Sequence, residues 1–191
     1  MSSNWMTYDH MATANFSPSE RLILAITDDD VAAFRQQNFA LDEIISMRFD
    51  RMMNILNFAI DQERVNIVAH LARATKDRPD LQEHLTNYKF GQNQNSAIHQ
   101  VMTLGNRELI DILVDEFNAS LEVRAHNELS VMHYAAQSYA GYLSILVLVE
   151  KHAISVNIRD KILATPLHFA ILKKEVKNVE LLIKYGADVD A

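Results

Sequence analysis

The 191-residue chain contains no cysteine. Disulfides, cysteine-ligated metals and thiol nucleophiles are therefore outside its chemistry. Glycine and proline are scarce, with 4 and 3 residues. That is too few for a turn-rich sandwich and favours helices joined by short connections. Long hydrophobic runs are missing as well. Runs such as Ile145–Val149 reach five residues, far below the ~18 of a membrane-spanning helix. The start of the chain has no basic segment followed by an apolar one, so no secretory signal is expected. The glycosylation patterns Asn15-Phe16-Ser17 and Asn118-Ala119-Ser120 are accordingly read as chance. Positive charge is in deficit too, 18 basic against 25 acidic residues, for a net charge of −7. Phosphate backbones demand a concentrated basic face, so nucleic acid is not an expected partner. Only the stretch after residue 150 is net basic, and Lys161, Lys173, Lys174, Lys177 and Lys184 read as a solvated helix face.

What the chain does have is an ordinary globular balance, 49% hydrophobic and 23% charged residues, with enough length for a sizeable core. It also has an internal repeat. Thr165-Pro166-Leu167-His168-Phe169-Ala170 is followed by Val179–Ile183 and then Gly186-Ala187-Asp188-Val189-Asp190-Ala191. Taken as a ruler, this segment finds Ser130-Val131-Met132-His133-Tyr134-Ala135, whose alanine lies 35 residues earlier. Ser96-Ala97-Ile98-His99-Gln100-Val101 lies another 34 back, Asn54-Ile55-Leu56-Asn57-Phe58-Ala59 another 42, and Glu20–Ala25 another 34. Second segments recur in step: Val31–Phe34, Val65–Leu71 and Glu108–Leu113. So do the connections Leu121-Glu122-Val123-Arg124 and Val156–Asp160.

Each residue of the ruler has a physical task. Thr165, Ser130 and Ser96 are suited to capping a helix start, and Pro166 to a first helical turn. Leu167 and Ala170 fall three apart on one helical face and should point inward together. Gly186 supplies the left-handed residue that ends a second helix.

Together these segments resemble the ankyrin repeat, with its TPLHxA signature and a period near 33 residues. The resemblance is specific over roughly residues 91–191 and fades toward the N-terminus. It implies an all-α ankyrin-repeat solenoid of antiparallel helix pairs, with four repeats plus a degenerate N-terminal capping repeat. The expected organisation is an arm over residues 1–16, which Trp5 suggests docks onto the first repeat, and a repeat domain over 17–191. Approximate repeats are 17–49, 50–90, 91–125, 126–160 and 161–191. For His99, His133 and His168 the resemblance implies hydrogen bonds to the backbone of neighbouring loops, not metal ligation. No HExxH motif or compact His/Asp/Glu cluster points to a metal, and no cofactor is expected.

The departures from the pattern carry expectations of their own. Asn57 replaces the motif histidine but can still hydrogen-bond. The 42-residue step holds about eight extra residues within Thr75–Tyr88, where Arg78-Pro79 interrupts any helix. This insertion reads either as a loop on the binding face or as a second helix that is prolonged or followed by an extra turn. Tyr139-Ala140-Gly141-Tyr142 is an enlarged turn whose tyrosines suit an interface or simple packing. The acidic triplet Asp28-Asp29-Asp30 marks the start of a second helix. The last repeat lacks the polar face of a terminal cap and reads as internal, as though excised from a longer protein.

No nucleophile elbow, phosphate loop or acid–base pair appears, so the chain is not expected to be an enzyme. The resemblance implies a protein-interaction module, cytoplasmic and scaffold-like, that binds a protein or peptide and does not insert into membranes. Its concave surface maps to Gln92, Asn93, Asn95, Thr103, Leu104, His126, Asn127, Leu129, Gln137, Ser138, Lys161, Ile162, Leu172 and Lys173. Two alternatives stand beside it. Met132–Ala136, Gly141–Leu146 and Lys177–Leu182 are similar to ankyrin segments of Asp-His-His-Cys palmitoyltransferases. That suggests a regulatory or substrate-recruiting domain of a membrane enzyme or channel, without catalytic cysteine of its own. The other alternative is a bacterial or viral ankyrin effector.

Overall fold

A computed structural model describes residues 16–191. The expected N-terminal arm and Trp5 lie outside the described residues, apart from Phe16. The described chain is helical, with twelve α-helices in sequence. Five antiparallel pairs succeed one another: α1 (Pro18–Thr27) with α2 (Val31–Gln36), α4 (Ile55–Asp61) with α5 (Val65–Ala74), α7 (Ala97–Leu104) with α8 (Arg107–Asp111), α9 (Val131–Ala136) with α10 (Gly141–Leu146), and α11 (Pro166–Lys173) with α12 (Val176–Lys184). Two single helices, α3 (Leu41–Ser46) and α6 (Pro79–Asn87), follow the first two pairs. Helices α8 and α10 each run on into a π-helical turn, over Ile112–Glu116 and Val147–Lys151.

The core is one apolar seam built from the same positions of every first helix. Leu22, Ala25 and Ile26 recur as Leu56, Ala59 and Ile60, then as Ile98, Val101 and Met102, then as Met132, Ala135 and Ala136, all buried. In the last pair Leu167 and Ala170 are buried as expected. Successive first helices pack directly: α4 on α7, α7 on α9 and α9 on α11. A trio spaced three and one apart places all its members on one helical face. The small residues within it let neighbouring helices close up.

The turns require their residues. Gly105 adopts φ +66°, and a Cβ there would stand 2.2 Å from the Ala140 carbonyl oxygen of the next pair. Only glycine allows that approach. Gly186 (φ +85°) ends α12 as expected, with the Ala187 N–H reaching the Leu182 carbonyl at 2.9 Å. Asp30 caps α2, its carboxylate accepting from the N–H groups of Ala32 and Ala33 at 2.9 and 3.0 Å. Asp29 reaches further. Its carboxylate accepts from the backbone N–H groups of Asn66 and Ile67 at 3.1 and 2.9 Å and so caps α5 of the following pair.

The extra residues after Thr75 are a separate helix rather than a loop. Arg78 stands outside the helical region (φ −129°, ψ 73°) just before it, and Pro79 opens its first turn, since proline disfavours helical geometry in the residue before it. Helix α6 buries Leu81 and Leu85. The Gln82 side chain donates to the Glu116 carbonyl at 3.2 Å, and Asn54 donates to the Leu85 carbonyl at 2.9 Å.

Candidate functional site

One edge of the stack is formed by the connections that enter each first helix. Phe90 and Asn95 exchange backbone hydrogen bonds (2.9 and 3.1 Å), the Ala125 N–H bonds the Leu129 carbonyl (2.9 Å), and the Asp160 N–H bonds the Ala164 carbonyl (2.9 Å). Each is a short hairpin tip. The tips are joined to one another through backbone: the His126 N–H donates to the Asn93 carbonyl at 2.9 Å, and the Lys161 N–H donates to the Asn127 carbonyl at 3.0 Å. The result is a ledge of three tips with main-chain rungs. Asp160 fixes the last tip from inside, its carboxylate accepting from the N–H groups of Ile162 (3.0 Å) and Ala164 (2.8 Å).

The residues assigned to binding divide into two groups. Gln92, Asn93, His126, Asn127, Lys161, Ile162, Leu172 and Lys173 are exposed, and the rungs bring Asn93 beside His126 and Asn127 beside Lys161. The other six are half-buried. Leu104 and Leu129 pack against the core. Asn95 accepts a hydrogen bond from the Tyr134 hydroxyl. Thr103 donates to the Gln100 carbonyl at 2.7 Å, and Ser138 donates to the Thr103 carbonyl at 2.5 Å. Gln137 follows the end of α9. Asn95, Thr103, Leu104, Leu129 and Ser138 are thus engaged in holding the scaffold. Leu163, outside the residues assigned to binding, also stands exposed on the last tip. Its signal is an apolar residue where the preceding tip carries Glu128.

The histidines build the helix starts. The His133 Nδ1 accepts from the Ser130 N–H at 3.2 Å and lies 2.8 Å from the Ser130 hydroxyl. An accepting Nδ1 puts the ring proton on Nε2, which donates to the Ala164 carbonyl of the next tip at 3.1 Å. His99 with Ser96, and His168 with Thr165, form the same capping box. The onward bond is made by His133 alone of the three. His99 Nε2 lies close to the Leu129 and Val123 carbonyls but is buried without completing a hydrogen bond, and His168 is exposed. Burial is the main cause that lowers the pKa of His99, to about 4, with Lys89 and Arg124 pushing the same way. Burial likewise lowers that of His133. Both rings are therefore neutral at pH 7 and serve as fixed hydrogen-bonding wedges. Asn57 keeps part of this role, donating to the Gln100 side chain at 3.3 Å.

Buried polar side chains brace one pair against the next. Ser144 donates to the Met102 carbonyl at 2.9 Å. The Asn178 amide reaches the carbonyls of Ala136 (2.9 Å) and Ser138 (2.7 Å). These groups satisfy carbonyls at the ends of first helices that would otherwise be orphaned. Among the described residues no group of three or more His, Asp or Glu side chains is placed to hold a metal ion. No described helix is long and apolar enough to cross a membrane.

Comparison with known proteins agrees with this geometry. The family model of the ankyrin repeat matches residues 163–191. A delta-latroinsectotoxin from Latrodectus tredecimguttatus is 34% identical over 76 residues, which is 40% of this chain and 6% of the toxin. The chain thus spans a small fraction of that relative's length. The helix pairs, the hairpin tips and the matched segment agree: this chain is an ankyrin-repeat solenoid, and residues 163–191 fall in the fifth of its helix pairs.

Proposed function

We propose that the chain binds a protein or peptide through the concave side of the stack, across the ledge of tips and the adjoining ends of the first helices. Ankyrin repeats are protein-interaction modules in general, so the reading asks only which surface acts. It takes residues 17–191 as the binding domain, in repeats 17–49, 50–90, 91–125, 126–160 and 161–191. The observation that carries it is the pair of main-chain rungs, Asn93 to His126 and Asn127 to Lys161. They fix the tips while leaving Gln92, Asn127 and Ile162 turned to solvent. A ledge held by its own backbone meets a partner without first being ordered, and that lowers the cost of association.

The surface changes character along its length. Gln92, Asn93 and Asn127 offer uncharged hydrogen-bonding groups, whereas the last repeat offers Lys161 and Lys173 beside Ile162 and Leu172. The partner segment is therefore polar at one end and both acidic and apolar at the other. A cysteine-free chain of this kind suits a cytoplasmic setting.

The test is a Gln92→Ala, Gln137→Ala, Lys173→Ala triple variant, presented to a partner isolated with the unaltered chain. None of these three side chains makes a hydrogen bond that the described fold depends on. Binding should weaken at least about tenfold, as loss of several contacts at one interface does, with an unchanged melting curve. Equal affinity in the variant would remove the concave-side assignment. Asn127 is left alone because its φ of 59° tolerates asparagine better than alanine.

A further inference from the structure

Helix α3 follows the first pair as α6 follows the second, and each borders a cleft beside the second helix of the next pair. The cleft at α6 is polar and bridged. Arg73, Lys76, Asp115 and Glu116 line it, and the Gln82 side chain crosses it to donate to the Glu116 carbonyl at 3.2 Å. The cleft at α3 differs in kind. It encloses about 190 Å³ between α2, α3 and α5, more than the ~150 Å³ of an apolar protein cavity that holds benzene. Phe34, Phe39, Leu41, Ile44 and Leu71 form its wall, and of these Phe34, Ile44 and Leu71 are buried. Arg35, Asn38 and His70 supply the polar lining. Arg35 and Asn38 are exposed, which places them at the mouth.

The charge at that mouth is positive. The Arg35 guanidinium donates to His70 Nδ1 at 3.4 Å, and the His70 ring stands edge-on to Phe34 with centroids 5.6 Å apart. Burial first, and then the charges of Arg35 and Arg73, hold the His70 pKa below the usual histidine value. The ring is therefore neutral at pH 7, and the charge resides on the guanidiniums. A guanidinium has five donors, and the bond to His70 uses one. None of the described residues lining the cleft is acidic. Asp42 of α3 is paired with Arg78 at 3.6 Å. An apolar wall with a guanidinium at its mouth is the complement of an apolar group that ends in a carboxylate. We propose that the cleft between α2, α3 and α5 is a second binding site, and that its ligand is an apolar group about the size of a benzene ring ending in a carboxylate. The apolar body lies against Phe34, Phe39, Leu41 and Ile44, and the carboxylate accepts from Arg35. This goes beyond the concave-side reading, since the cleft shares no residue with the ledge.

The test titrates the full chain at pH 7 with hexanoate and, separately, with hexanamide, following the nuclear magnetic resonance signals of Phe34, Ile44 and His70. Hexanoate should shift these signals saturably. Hexanamide should bind at least about tenfold more weakly, as loss of a charge-assisted hydrogen bond does. Arg35→Gln should bring hexanoate down to the level of the amide. Ala74→Trp, at an exposed position of the lining, should block both by filling the mouth. Both variants should melt with the parent, because both substitutions are at exposed positions. N-acetylglycyl-leucine with a free carboxylate separates the two sources of such a group. Tighter binding than hexanoate identifies a peptide chain end as the ligand, and weaker binding a free carboxylic acid. The ledge variant of Gln92, Gln137 and Lys173 should bind hexanoate as the parent does, so the two sites fail or stand separately. Signals that do not move, equal binding of hexanoate and hexanamide, or a preference for the acid that survives Arg35→Gln would each overturn the proposal.

Discussion

His99 and Asn57 occupy equivalent places in neighbouring repeats and make different use of them. Both are fully buried, but only the imidazole can take up a proton in the mildly acidic range. Burial lowers the pKa of His99 to about 4, against 6.5 for an exposed histidine. The folded state therefore resists protonation that the unfolded chain accepts. The stabilising contribution is fully present above pH 6.5. It is lost progressively as pH falls toward 4, and amounts to roughly 3 kcal/mol for a shift of this size. His133 and His70 are shifted in the same direction and add to the slope. Thermal melts between pH 7 and pH 4.5 should show falling stability. A His99→Asn variant, which copies the residue at Asn57, should show a shallower fall. A variant with the parent's slope would mean that His99 is not part of the acid sensitivity.

The helices differ in how openly the sequence announces them. First helices are legible because the TPLHxA positions recur at steps of 35, 34, 42 and 34 residues, and the apolar positions of those copies are the ones buried. Helix α6 is legible only as a surplus of residues. Its apolar signal is just Leu81 and Leu85, four apart in a polar segment, and its partners Asn54 and Glu116 lie about 30 residues away on either side. Helix α3, with Leu41, Ile44 and Ile45, gives no surplus at all, because the 34-residue step absorbs it. The same distance hides the braces: nothing near Asn178 in sequence indicates that its amide ends at Ala136 and Ser138. Six of the assigned surface residues are half-buried for a related reason, since burial at a helix end depends on the neighbouring repeat. Leu85 decides what α6 is for. It is fully buried, so Leu85→Ala should cost about 2–5 kcal/mol in a urea titration. A loss under about 0.5 kcal/mol, the range of surface substitutions, would return α6 to the role of a dispensable insertion.

Across the whole molecule, each repeat is stabilised by its neighbours, so position in the stack sets local stability. The central first helices α7 and α9 are covered on both sides, whereas α12 buries Asn178 and Leu182 alone. Native-state hydrogen exchange should therefore find the slowest amides in α7 and α9 and faster ones in α12 and in α2, which buries Phe34 alone. Uniform protection would indicate a single cooperative unit instead. The ledge of tips has a consequence of another kind. Its rungs run from backbone to backbone, from His126 to Asn93 and from Lys161 to Asn127, so the geometry of the edge is written in main chain. The side chains at Gln92, His126 and Ile162 are left without duties in folding. They resemble movable type set in a fixed frame: the text presented to a partner can be recomposed, letter by letter, without recasting the frame that holds it.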